Sequence, residues 1–403
     1  MTIKSASPMP NTVKTVSFPG WPVYTQDELD AVASVLQSGC VNYWTGTEGR
    51  QFEQEFAAYI GVEHAIAVSN GSTALGAALR SLDLPPGAEV IVTPRTFVAT
   101  VSEIVLAGLK PVFADVDESS QNITADTISN VLTAHTAAIL VVHLAGWPCD
   151  LPGICAYARK HGLVVIEDCA QAHGASINDQ KVGAWGDIAT FSFCQDKIMT
   201  TGGEGGMIVT NREGLAERCW SFKDHGKSRG AMSRPMNGSK FRWVHESVGT
   251  NLRLTEFQSA IGRIQLAGLD DAVTQRNRNA AVLFDRLGEQ ESLRLPRVPV
   301  GYLHAFYKCY VFIKTEELNS GWSRDRILSE LNGYGVPCGS GICPEVYLEQ
   351  AFMNLDIAPA DYLPVARHLG ETSLMFRVDP ALSSRHMDLA ADTLIDVIGR
   401  ACH

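Results

Sequence analysis

Between about residues 63 and 210, short apolar runs alternate with stretches of helical spacing. Residues 65–68 form one such run, followed by the turn Ser69, Asn70, Gly71, Ser72 and a helix-like stretch over 73–79. Residues 89–94 form the next, with a helical stretch ending at Leu106, and 111–116, 138–143 and 163–168 continue the series. These runs are apolar at nearly every position rather than every second one, the pattern of strands covered on both faces. Their alternation with helices predicts an α/β fold whose large domain is a mostly parallel sheet flanked by helices.

The pattern then changes twice. Residues 226–245 lose apolar periodicity and read as a long loop, which in a compact domain is either functional or disordered. Phe257, Ile261 and Ile264 recur at i, i+4 and i+7, predicting an amphipathic helix that leads out of the large domain. Beyond Leu269, helices mix with short strands such as 309–313, which predicts a smaller α+β domain at the C-terminus. The expected division is a disordered lead over 1–17, a large domain over 18–267 and a small domain over 268–403. A chain of 403 residues is long enough for both cores.

Open parallel sheets bind ligands outside the carboxyl ends of their strands. Asn70, Phe97, Asp168 and Lys197 all fall at or just past such ends. Lys197 lies between the apolar triplet 191–193 and a glycine-rich turn over 202–206, the setting of a buried amine able to form a Schiff base with a carbonyl. Residues 69–73 join a strand to a helix, so their N–H groups and the Ser72 and Thr73 hydroxyls make either an anion site or a plain N-cap. Asp168 either holds a ring nitrogen protonated or caps the next turn. Gln171 and His173 contact a cofactor or brace the loop; Phe97 stacks on a planar ring or joins the core. Ser192 donates to a phosphate or bonds a neighbouring carbonyl.

Composition narrows the partners. A formal net charge of −11 argues against nucleic acid and anionic membranes. No run of 18 apolar residues occurs, so no spanning helix is expected, and residues 1–10 do not read as a signal peptide. Ten scattered cysteines without a close pair suggest neither zinc nor a redox centre; they read as reduced thiols of a cytoplasmic protein.

In their order along the chain, 69–72, 96–98, 111–117, 142–144, 167–174, 186–193, 225–226 and 249–258 resemble the sugar aminotransferase family of the aspartate aminotransferase (type I) fold. The resemblance runs from about Phe18 to the C-terminus. It implies the cofactor pyridoxal 5'-phosphate, with Lys197 as the Schiff-base lysine and Asp168 on the pyridinium nitrogen. It further implies Phe97 stacked on the ring, Gln171 on the 3-hydroxyl, and Gly71, Ser72 and Ser192 on the phosphate. Asn251 would reach the phosphate in the neighbouring subunit of a homodimer, with Arg253 ordering that interface.

By the same resemblance, glutamate or glutamine donates the amino group, and the acceptor is a keto-sugar, a nucleotide-diphosphate 4-keto-6-deoxy sugar first of all. Relatives that dehydrate carry histidine where Lys197 stands, so lysine selects transamination. The Gly-Glu-Gly-Gly ending at 203–206 resembles members that aminate C4, whereas 340–347 departs from the commoner small-domain pattern. Two rival readings are an aminotransferase acting on a free cyclitol ketone and a cofactor-binding regulator without turnover. Lys227, Arg229, Arg234, Lys240 and Arg242 crowd the 226–245 loop without an acidic residue, which reads either as a lid for a diphosphate or as a solvated loop.

Overall fold

The structure, a computed structural model, describes residues 17–234 and 241–402. The lead expected over 1–17 lies almost wholly outside that range, as does Lys240. Seven strands form the main sheet: β1 (His64–Val68), β2 (Glu89–Val92), β3 (Lys110–Phe113), β4 (Thr136–Val142), β5 (Val164–Asp168), β6 (Ile188–Ser192) and β7 (Gly206–Thr210). Their spatial order is β1-β7-β6-β5-β4-β2-β3. The strands from β6 to β3 pair in parallel, while β7 runs antiparallel to both β1 and β6. The expectation of a mostly parallel sheet holds, and β7 is an addition to it. Only a hairpin connection is needed between antiparallel neighbours, and residues 193–205 supply it.

Both faces of the sheet are covered, as the continuous apolar runs require. Along β4, Ile139 and Val141 enter one core cluster, and Ala138, Leu140 and Val142 enter the other. The helices of this part include α1 (Gln26–Ser38), α2 (Glu48–Ile60), α3 (Gly71–Ser81), α4 (Val98–Leu106), α5 (Leu151–His161) and α6 (Glu213–Lys223), of which all but α1 pack directly on the sheet. Next, α7 (Glu256–Ala267) packs against α1 and α2. The stripe Phe257, Ile261, Ile264 sits on that helix, but only Ile261 of the three is buried, alongside Ser259, Ala260, Gly262 and Leu266, while Phe257 and Ile264 are partly covered. Periodicity located the helix, while its two neighbours decided which face is deepest.

Gly268 ends α7 and begins α8 (Leu269–Leu287), and there we propose to divide the chain. The smaller part has a four-stranded antiparallel sheet of β8 (Leu293–Arg294), β9 (Cys309–Ile313), β10 (Cys338–Gly339) and β11 (Ser373–Phe376), ordered β8-β9-β11-β10. The helices α9 (Arg324–Gly333), α10 (Pro364–Thr372) and α11 (Ser384–Ala401) complete it. A third core cluster fills this part, and Phe18 packs against it with its ring 5.2 Å from His386. The segment carrying Phe18 therefore leans on the small part, although its sequence position placed it with the large one.

Candidate active site

The carboxyl ends of β5 and β6 lie side by side, because Asp168 pairs with Thr190 in the ladder. Asp168 is buried, accepting from the Thr100 hydroxyl at 3.0 Å and from the Ala170 N–H at 3.1 Å. Burial pushes its carboxyl above the ordinary range against the pull of those two donors. No cation hydrogen-bonds it among the described residues. Glu167, on the opposite face by strand alternation, is spent structurally: its oxygens take the N–H groups of Gly183, Trp185 and Gly186 at 2.7, 2.9 and 2.7 Å and face His143 at 3.1 Å.

The start of α3 rests on the ends of β6 and β7. A Cβ on Gly71 would stand 2.6 Å from the Ser192 Cβ and 3.0 Å from its Oγ, so only glycine permits that approach. Asn70 caps the helix, accepting from the Thr73 N–H at 2.9 Å. The Thr73 hydroxyl returns to the Asn70 carbonyl at 2.9 Å, which removes it from the expected anion donors. Ser192 Oγ accepts from the Cys194 N–H at 3.3 Å, leaving its proton uncommitted rather than bonded to a neighbouring carbonyl. Gly71→Ala is expected to weaken cofactor binding at least about tenfold through this clash, measured by titrating the cofactor-free protein; unchanged affinity would contradict the close approach.

Lys197 sits in the hairpin between β6 and β7, its N–H bonded to the Cys194 carbonyl at 3.1 Å. Its side chain is 17% exposed, its ammonium 3.8 Å from Asp196 and 5.0 Å from the centre of the Tyr307 ring. His173 is fully buried beside the Phe191 and Phe193 rings. Burial first, and the charge of Lys197 second, hold its pKa down to about 3, so the imidazole is neutral at working pH. Both its nitrogens lack hydrogen-bond partners.

Phe97 is 60% exposed at the N-cap of α4, which removes the core alternative. Gln171 braces the loop through Oε1, which accepts from the Ala145 N–H at 2.8 Å. A planar cationic ring with an anionic tail fits this arrangement. Phe97 offers a face, Asp168 a buried carboxylate without a bonded cation, and α3, Ser72 and Ser192 offer uncommitted donors.

Asn251 is exposed, and its Oδ1 accepts from the Arg253 N–H at 3.3 Å. Arg253 binds within its own chain, 2.6 Å from Asp224, which also takes Trp44 at 2.7 Å and Lys227 at 3.0 Å. The basic loop is likewise answered locally: Arg229 meets Glu217 at 2.6 Å and Arg234 meets Glu246 at 3.2 Å. The charge excess apparent in the loop's sequence is thus largely neutralised by carboxylates outside it. Residues 340–347 also acquire a position, since the Val346 N–H donates to the Pro94 carbonyl at 2.9 Å, just before Phe97.

Three contributors escaped the sequence reading. Thr100 holds Asp168, and its four-residue spacing from Thr96 was the available signal; their hydroxyls meet at 2.8 Å. Trp21 donates Nε1 to the Lys197 carbonyl at 2.9 Å, and Tyr307 donates its hydroxyl to Asp196. Both come from segments far from Lys197 in sequence, without a local signal.

A family model described as the DegT/DnrJ/EryC1/StrS aminotransferase family matches residues 22–394. A UDP-N-acetyl-3-dehydro-α-D-glucosamine 3-aminotransferase of Acidithiobacillus ferrooxidans is 37% identical over 93% of this chain and 94% of its own length. A GDP-perosamine synthase of Caulobacter vibrioides is 36% identical over 82% of this chain and 88% of its own length. The crystal structure of an aminotransferase from Psychrobacter cryohalolentis superposes with a TM-score of 0.93 at 51% identity, covering 95% of this chain and 99% of that one.

Proposed function

Because the chain belongs to the DegT/DnrJ/EryC1/StrS aminotransferase family, we propose that it moves an amino group from glutamate or glutamine to a nucleotide-linked keto-sugar, with Lys197 carrying the proton. It is a pyridoxal-phosphate-dependent aminotransferase of the type I fold. The observation that carries the reading is the mostly buried Lys197 amine, held in the hairpin that follows Ser192 beside the end of β5.

Bound in this site, pyridoxal phosphate supplies an electron sink for a breaking Cα–H bond. Asp168 would keep the ring nitrogen protonated, Phe97 would cover one face of the ring, and Gln171 would meet its hydroxyl. Gly71, Ser72 and Ser192 would hold the phosphate. With the cofactor bound, the Lys197 amine would take the proton from the donor Cα and deliver it to C4′ of the cofactor, and would run the same transfer in reverse for the acceptor. In this reading the protein works as a homodimer, in which the exposed Asn251 would reach the partner's phosphate. Among the described residues no helix is long and apolar enough to cross a membrane.

The Gly-Glu-Gly-Gly ending supports a 4-keto-6-deoxy acceptor, while the relatives at 37% and 36% identity carry names for different sugars. A free cyclitol ketone is a second reading, favoured by the pairing of Lys227, Arg229 and Arg234 with the chain's own carboxylates. Those pairs leave fewer cations for a diphosphate.

The test is spectroscopic. Loaded protein should absorb near roughly 400 nm, and glutamate or glutamine should remove that band. Nucleotide-linked 3-keto and 4-keto sugars and a free inosose are then offered to the reduced form. Return of the band names the acceptor, and a band insensitive to both donors would end the aminotransferase reading in favour of a regulator.

A further inference from the structure

The small part of the chain meets the Lys197 hairpin through the short stretch 305–308. Within it Phe306 has φ +44°, a left-handed conformation that a bulky residue keeps only when its surroundings impose it. Those surroundings are identifiable. The Phe306 N–H donates to His304 Nδ1 at 2.7 Å, and the two rings stack 3.9 Å apart at 9°. From α8, Arg276 donates through Nη1 to the carbonyls of both Phe306 and Tyr307 at 3.3 Å. Its guanidinium also lies 5.2 Å from the Trp21 ring centre.

Arg276 is 1% exposed, and its Nε and Nη2 have no hydrogen-bond partner. Burying a guanidinium against two carbonyls is costly, and an apolar side chain would fill the space without that penalty. What the planar guanidinium adds is a reach that lets Nη1 meet two successive carbonyls while its charged centre lies over an indole.

Two groups that Arg276 touches also touch Lys197. Trp21 Nε1 donates to the Lys197 carbonyl at 2.9 Å. Tyr307 lies 5.0 Å from the Lys197 ammonium and donates its hydroxyl to Asp196, itself 3.8 Å from that ammonium. The next residue continues into the site: the Lys308 N–H donates to the Ala145 carbonyl at 3.4 Å, and Ala145 is held by Gln171.

We propose that Arg276 is a positioning residue for Lys197, setting Trp21 and Tyr307 so that one fixes the lysine backbone and the other its amine. The inference rests on the reading of Lys197 as the reacting amine. Borohydride reduction of the loaded protein and peptide mapping test that reading separately: label away from Lys197 would end it, and this proposal with it.

With Lys197 labelled, Arg276→Lys decides, since it keeps the charge and loses the planar guanidinium that reaches both carbonyls and the indole. Visible circular dichroism of the bound cofactor should fall to about half or less, and the glutamate half-reaction should slow at least about tenfold, with the apparent KM for glutamate changed less than about twofold. Trp21→Phe keeps a ring under the guanidinium but lacks the N–H, and should move both readouts the same way. If Arg276→Lys does not fold, Trp21→Phe alone decides. A wild-type dichroic band and half-reaction rate in each folded variant, with only the melting temperature lowered, would make Arg276 a packing residue and overturn the proposal.

Discussion

Lys197→Ala is expected to abolish amino transfer in both half-reactions, with a rate loss of at least about 10⁴-fold. The side chain is the amine in the hairpin beside Asp168, and alanine leaves no group there to receive a proton. Its removal should cost little stability. The residue's backbone contacts, to Cys194 through its N–H and to Trp21 through its carbonyl, survive the change. Stopped-flow absorbance with glutamate measures the loss, and a folded variant that still turns over at a tenth of the wild-type rate would refute the assigned role. A small primary amine added to the solution should restore part of the half-reaction, because it can stand in for the missing proton carrier.

Asp168→Asn is the second large effect, a slowing of the glutamate half-reaction by about 10³-fold or more. An amide can still accept from the Ala170 N–H through its oxygen, while its NH2 turns the Thr100 contact round and donates to that hydroxyl, so the shape is kept while the charge that would hold a ring nitrogen protonated is lost. Cofactor-free protein should respond in the opposite sense. Burial raises the Asp168 carboxyl, so the folded state binds that proton more tightly than the unfolded chain. The resulting stability is complete below the unfolded carboxylate pKa and is lost as pH rises through the higher folded value. Asn should therefore flatten this part of the pH profile. Urea melts of the cofactor-free pair at acidic and neutral pH read it directly, and parallel profiles would rule out Asp168 as the source.

The sequence carried much of this site because its parts are local. Gly71 and Ser72 begin a helix straight after a strand, Asp168 ends an apolar run, and Lys197 closely follows Ser192. Each is positioned by the element that bears it, so strand ends sufficed to predict convergence. Thr73 shows the limit. Its hydroxyl reads as an anion donor in sequence, yet the cap consumes it, and cap geometry depends on backbone angles that residue identity leaves open. The basic loop shows the same limit for charge, because Glu217, Asp224 and Glu246 lie outside the window in which its net charge was counted.

What residues alone determined was the α/β class, the strand ends that bear the candidate site residues and the place of the lysine among them. These follow from periodicity and from neighbours in the chain. Tertiary structure alone decided that β7 runs antiparallel, that Phe97 is exposed, that Val346 braces the turn before it, and that Trp21 and Tyr307 meet at Lys197. Trp21 is 176 residues from Lys197 in the chain and Tyr307 is 111 from Asp196. Contacts at such separation are set by packing between the two parts of the molecule, and no local propensity encodes them.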